Sequence, residues 1–314
     1  LASQCSVAED DRKWIQDAFQ NWGVASREYL QLTDHPLPHI ITFDAHCSYS
    51  LAPRAGRAWV WAVRAHDGQI VLPGGSTVPA VPSAFQAATN GQESFVLMSL
   101  PSIWRAVAPQ SEIRLEHFLE GVLFHELVHS YQSVFTPSIS LRALQTRHPF
   151  LESLSDDSLQ EEFQNDTAYL MAFELERDLF FKAAVAEADN EARALSCHAL
   201  GKLRDRRARH LSGKRAHWAE VDEISLTMEG LSQWTAYSWL TSGRGIPPAT
   251  ALAKLRSPSW SQDEGLAIFL LIDRLVPDWQ QRIFAASPAG AQQLLAITCR
   301  GLPENGGIEP LPIR

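Results

Sequence analysis

Glu112-Ile-Arg-Leu-Glu-His-Phe-Leu-Glu-Gly-Val-Leu-Phe-His-Glu-Leu-Val-His-Ser-Tyr-Gln-Ser-Val-Phe135 is the stretch from which the rest of the chain is best read. Phe118, Leu119, Val122 and Leu123 recur at helical spacing, Ser111 can cap the start, and Thr136-Pro137 stops the run. A core-packed helix over 112–135 is expected. Inside it lies His125-Glu126-Leu127-Val128-His129. Positions four apart on a helix lie about 40° apart around the axis and one turn apart along it. Both imidazoles therefore project from one face toward a common point, the geometry in which two nitrogens bind Zn²⁺ at about 2.0–2.1 Å. Glu126 sits beside them, where an acid can hold a water and take its proton while the metal lowers that water's pKa toward about 7. With Val128 and Tyr131 also apolar, the helix is too buried to carry two histidines and a glutamate without partners for them.

On either side of this helix the texture differs. N-terminal to it, a helix over Asp10 to Leu32 is followed by β-rich segments at His39 to Leu51, Arg57 to Ala65, Gln69 to Leu72 and Ser94 to Leu100. Asp67-Gly68 reads as a hairpin turn into Gln69, and Pro73 to Pro82 as a loop. C-terminal to it, helices are expected from Ser158 (a capping-box start with Glu161) to Ala188, Asn190 to His210, Ala216 to Leu240 and Gln262 to Val276. Two short segments ending near Cys299 and an irregular tail from Gly301 follow. The expected class is α+β: a small, mostly antiparallel sheet with a helix over 1–110, packed on a larger helical metal-binding part over 111–314, the two forming one unit.

Composition narrows the function classes. In 314 residues, 27 Lys+Arg against 36 Asp+Glu give a net charge of −9, which argues against a nucleic-acid partner. The run Arg204, Arg206, Arg207, Arg209 is too local to change that and reads as a solvated helix face. The longest uninterrupted apolar run, Leu266 to Ile272, is far short of the roughly twenty residues that span a bilayer. Four cysteines (Cys5, Cys47, Cys197, Cys299) allow three pairings, and sequence does not choose among them. Their even number, with a chain that begins at Leu1, favours a secreted or periplasmic location over a cytoplasmic one.

Zinc hydrolases commonly take three protein ligands and leave a fourth position open. No third histidine follows His129 at short spacing, so a carboxylate from another helix is expected. Two places qualify: Glu229, in Thr227-Met228-Glu229-Gly230-Leu231-Ser232-Gln233-Trp234, and the cluster Glu174, Glu176 and Asp178. Glu174 and Asp178 share a helix face and could instead orient a ligand histidine through its second ring nitrogen.

His125-Glu126-Leu127-Val128-His129, followed by Glu229-Gly230-Leu231-Ser232-Gln233-Trp234, resembles the gluzincin group of metallopeptidases. Those carry HExxH on one helix and a zinc-binding glutamate on a later one, often within EG-[FL]-A-x-[YW]. The segments also resemble HExxH proteins with a HExxHxxQ…EGLA pattern. The resemblance implies a zincin-like helical part, His125, His129 and Glu229 as zinc ligands, Glu126 as general base, and a peptide or protein substrate; Glu174 and Asp178 stay as the alternative carboxylates read from the residues themselves. Two departures stand out: residues 130–228 separate His129 from Glu229, far more than in aminopeptidase-like gluzincins, and Ser232 replaces the usual Ala. Gly230 beside the ligand would let two helices approach closely.

A donor for the oxyanion of hydrolysis is also expected. Candidates are Tyr131, His210, His217, Arg206, Arg207 and Tyr237, the last two turns beyond Glu229. The strand Phe95 to Leu100 is a candidate sheet edge for an extended peptide. The leading expectation is a zinc-dependent metallopeptidase; the competing ones are a noncatalytic scaffold stabilised by a metal and a zinc hydrolase of a non-peptide substrate. Glu126, which is not itself a ligand, favours an enzyme.

Overall fold

Alternation along two strands shows how the N-terminal part is built. In β1 (His39–Phe43) and β7 (Glu93–Ser99), Ile40, Val96 and Met98 enter one core, while Ile41, Phe43, Phe95 and Leu97 enter another. Successive side chains point to opposite faces of a strand, so this sheet is covered on both. A computed structural model describes residues 5–32, 37–52, 60–90, 93–107, 111–135, 140–148 and 154–300. The expected stop at Thr136-Pro137, the start of the strand at Arg57 and the tail from Gly301 lie outside them.

The sheet has five strands in the order β3-β2-β1-β7-β6, with β2 at Cys47–Ala52, β3 at Val60–Ala65 and β6 at Gln86–Asn90. All neighbours are antiparallel except β1 and β7, which pair in parallel with Ile40 opposite Val96. The expected β-rich segment at 39–51 is a hairpin, β1 to β2, turned at Asp44, whose Oδ1 accepts from the backbone N–H of His46 and Cys47. Asp67-Gly68 does turn the chain, with Gly68 at φ +99°, but not into a paired hairpin. β4 (Gln69–Val71) pairs with β5 (Thr77–Pro79) as a separate ribbon, and its Ile70 joins Phe43 and Phe95 on the outer face of the sheet. β5 lies within the expected loop. β7 is not an edge: β6 is, because Gln86-Ala-Ala-Thr-Asn90 adds an outer strand with little apolar signature.

The inner face packs on α1 (Glu9–Glu28) and α3 (Leu115–Phe135). α3 starts three residues later than expected, after a turn in which Ser111 Oγ accepts from the Ile113 N–H. Buried Glu120 ties it down, accepting from Asn21, from Trp239 and from Nε and one terminal nitrogen of Arg244. The short helix α2 (Pro101–Arg105) packs beside it, and α4 (Leu141–Arg147) follows in the chain, its Leu144 in a second apolar cluster with Val221 and Ile224.

The expected helix over 158–188 is two: α5 (Ser158–Phe163) and α6 (Thr167–Ala184). Asp166 breaks it, its side chain accepting from the Ala168 and Tyr169 N–H groups as an N-cap. α7 (Asp189–His210), α8 (Ala216–Ser238), α9 (Pro248–Leu255), α10 (Trp260–Leu275), α11 (Trp279–Ile283) and α12 (Ala291–Ile297) complete the helical part. A π-helical turn, Trp239–Gly243, extends α8. The architecture is α+β, and one apolar core runs from Trp14 and Ile40 through Phe124 to Trp234 and Leu266.

α8 lies between α3 and α10. On the α3 side, Gly121 meets Ala236 and Leu240 at ordinary contact distance. On the other side Gly230 faces Gly265 of α10, and a Cβ on either would sit 2.7 Å from the opposing backbone. The close approach at Gly230 is therefore to α10, not to the histidine helix. Cys5–Cys47 fastens the N-terminal segment to the sheet and Cys197–Cys299 fastens the end of the described chain to α7.

Candidate metal centre

Two glutamines decide the protonation of the site. Gln132 Nε2 donates to the Met228 carbonyl and Gln233 Nε2 to the Leu255 carbonyl, at 3.0 and 2.7 Å. That turns each amide oxygen outward as an acceptor, and each lies 3.0 Å from a histidine Nδ1: Gln132 at His129, Gln233 at His125. Both imidazoles thus carry their proton on Nδ1 and present the Nε2 lone pair, the tautomer a metal ligand needs. Ser232 Oγ adds a contact to His129 Nδ1 at 3.4 Å.

The two Nε2 atoms lie 2.9 Å apart, and Glu229 of α8 closes the group, 3.3 Å from His125 Nε2 and 3.1 Å from His129 Nε2. Bonds of about 2.0–2.1 Å in a tetrahedral shell place ligand atoms about 3.3 Å from one another. The observed edges match, slightly contracted. Glu229 is 1% exposed, and although its oxygens are in ion-pair range of the imidazoles, neither has a hydrogen bond of good geometry. Two lone pairs and a buried carboxylate aimed at one point repel one another unless a cation sits there. His125, His129 and Glu229 can hold a metal ion.

The electrostatics say the same. Burial disfavours charge on His129, but the Glu229 carboxylate overcomes it and raises the pKa to about 10. Burial likewise works against ionised Glu229, and the two histidines hold its pKa well below the usual carboxylate range. Without a metal, the proton that His129 keeps plays the cation's part.

Glu126, next to His125 on α3, lies outside the ligand triangle and lines a cavity of about 260 Å³ together with His125 and Gln233. Burial raises its pKa and Glu229 adds to that, while His125, His129 and the backbone N–H of Ala87 on β6 oppose it.

Several expected residues are elsewhere. Glu174 and Asp178 are exposed on α6, with Asp178 paired to Arg177. The buried face of that helix runs through Phe173, Glu176 and Phe180, so neither acid orients a histidine. Tyr237 is half-buried against the main core beyond the site, and Tyr131 stacks on Trp22. His210 rests on Tyr169 and His217 on Trp218. Arg206, far from solvated, is fully buried: it donates to Glu176 at 2.6 Å, to Asp222 at 3.1 Å and to Tyr169, while Arg207 binds Asp222 and Glu223. Arg204 and Arg209 alone keep the solvated character expected of that run.

Sequence reasoning gave no role to Gln132 and Gln233; the signals were the Q of the HExxHxxQ pattern for Gln132, three after His129, and for Gln233 its place four after Glu229. It also missed Asp156, on the approach to α5. Its residue surface is open, yet burial of its carboxyl and repulsion from Glu229 push the pKa up to about 6, against attraction from His129 and His125. It lines a separate small pocket with Leu159, Phe173 and Trp260, from which its charge is felt at the ligands. No family model, curated protein or solved structure matches the chain.

Proposed function

We propose that the chain is a zinc-dependent metallopeptidase of gluzincin type. The observation that carries the reading is the pairing of a three-ligand group, tautomer-locked by Gln132 and Gln233, with a non-ligand acid that opens onto a cavity. A structural metal needs the first and has no use for the second.

Bound at this site, zinc would supply Lewis acidity and bring the pKa of a water at the open position toward about 7. The chain's own residues supply the rest. His125 and His129 are held in orientation by the glutamine amides, and Glu229 balances the charge. A Glu126 oxygen accepts the proton of the attacking water; its raised pKa suits it to pass that proton on to the leaving amine nitrogen. β6 ends the sheet, with its Ala87 amide facing Glu126, so an extended peptide adding to that edge would have its backbone drawn past the acid.

Two disulfides suit an oxidising compartment, so action outside the reducing cytosol is part of the proposal. No helix among the described residues is long and apolar enough to cross a membrane.

The test is a zinc-loaded preparation offered a mixed library of quenched peptides. Cleavage that is stopped by a chelator, and that Glu126→Gln lowers by about 10³-fold or more while zinc stays bound, is expected. A chain holding one zinc that cleaves no member of the library would contradict the reading.

A further inference from the structure

The cavity beside Glu126 has a composition of its own. Phe85, Phe118, Val122, Ala236 and Leu255 give it apolar walls, and His125 with Glu126 forms its inner end. At about 260 Å³ it has room for one side chain and its backbone end group, not for a folded partner. Two cations stand among the lining residues, and they differ. Arg256 is spent: its Nε and one terminal nitrogen grip Asp263 at 2.5 and 2.8 Å. Lys254, in the last turn of α9, lies with Nζ 4.7 Å over the Phe118 ring and pairs with no carboxylate among the described residues. A lysine at a helix C-terminus is ordinary. Placed over an aromatic wall of the cavity, it puts an unneutralised charge where a ligand would end.

We propose that this cavity receives the C-terminal residue of a peptide, its apolar side chain against Phe118 and Val122 and its α-carboxylate on Lys254. This deepens the peptidase reading and rests on it: the chain then acts as a carboxypeptidase, removing a residue with an aromatic or large aliphatic side chain. Charge supports the orientation. Glu126 is the acid among the lining residues, so a substrate carboxylate is repelled from the inner end and drawn to Lys254. The shared chemistry is an apolar body bearing a carboxylate, and an acidic side chain within a longer peptide is the rival source of that carboxylate.

Binding to metal-free protein separates the sources without needing turnover. N-acetyl-phenylalanine, its carboxamide and N-acetyl-glutamic acid α-amide are titrated calorimetrically into wild type, Lys254→Gln and Lys254→Arg. Wild type should hold the acid about tenfold more tightly than the carboxamide, the ratio should fall toward one in Lys254→Gln, and Lys254→Arg should restore most of it. Equal binding of acid and carboxamide, or a ratio that Lys254→Gln leaves unchanged, overturns the proposal. Tighter binding of the glutamate probe than of N-acetyl-phenylalanine overturns the terminal assignment in favour of an acidic side chain. The zinc-loaded chain is then given one peptide as free acid and as amide. Cleavage of both alike leaves the peptidase reading standing and removes the carboxypeptidase; selective binding of the acid with no cleavage of either does the reverse, keeping the carboxylate pocket and removing the peptidase.

Discussion

α8 carries two buried carboxylates two turns apart, Asp222 and Glu229, and the surroundings of each resolve the same physical problem differently. Around Asp222 the counter-charges are built into the chain: Arg206 reaches Asp222 and Glu176, and Arg207 reaches Asp222 and Glu223. Where acids outnumber the arginines they keep protons. Burial lifts Glu176 to about 7 against the pull of Arg206, and lifts neighbouring Glu264 well above the usual range. Around Glu229 no arginine or lysine among the described residues closes the group; two imidazoles, held through Nδ1 by glutamine amides with Nε2 turned inward, face it instead. A buried charge without a partner is costly. The first cluster is therefore a finished part of the core, and the second is a group that can hold a cation.

The largest effect should come from unfinishing the first cluster. Arg206→Met leaves Glu176, Asp222 and Glu264 buried without their shared guanidinium and should cost about 3–5 kcal/mol in denaturant unfolding. Zinc stoichiometry should stay the same if the two clusters are independent. Gly230→Ala comes next. Its Cβ would press into the Gly265 backbone at 2.7 Å and force α8 from α10, for about 1–3 kcal/mol, read as a lowered denaturation midpoint. Gln132→Leu and Gln233→Leu release the histidine tautomers and should weaken zinc binding about 10–100-fold in a competition titration, with little change in unfolding of the metal-free chain.

The smallest effect per step is that of pH. In metal-free protein His129 holds its proton up to about 10, whereas a metal needs the neutral ring. Zinc binding below that pH should therefore release a proton, and apparent affinity should rise about tenfold per unit between pH 7 and 9. The raised pKa also means that the His129–Glu229 pair stabilises the metal-free fold fully below about 6.5, the ordinary histidine value, and loses that contribution as pH climbs toward 10. Calorimetry in buffers of different ionisation heat reads the proton release directly.

Spacing alone made the histidine pair legible, because four residues on a helix fix a shared direction whatever surrounds it. Glu229 came from its likeness to a known segment, and the structure brings it within 3.3 Å of both histidines from a helix far along the chain. The glutamines were illegible because their role depends on which amide atom faces the ring, and that is set by carbonyls of Met228 and Leu255 on other elements. Asp156 lies on an irregular segment with no periodicity to place it. Arg206 and Arg207 misled for a related reason: a run of arginines looks solvated until acids from α6 and α8 meet two of them inside. On α6 the helix phase turned Glu176 inward and Glu174 and Asp178 out, which Phe173 and Phe180 would have indicated. β6 went unseen because Ala-Ala-Thr-Asn lacks the apolar alternation of a strand.

Titration of stripped, refolded protein with zinc, followed by metal analysis after gel filtration, tests the Glu229 group most directly. About one zinc per chain is expected in wild type and in Glu174→Gln, with affinity falling a hundredfold or more in His129→Ala and in Glu229→Gln. A wild-type chain with no saturable zinc site, or a Glu229→Gln chain that binds as wild type does, would contradict the account.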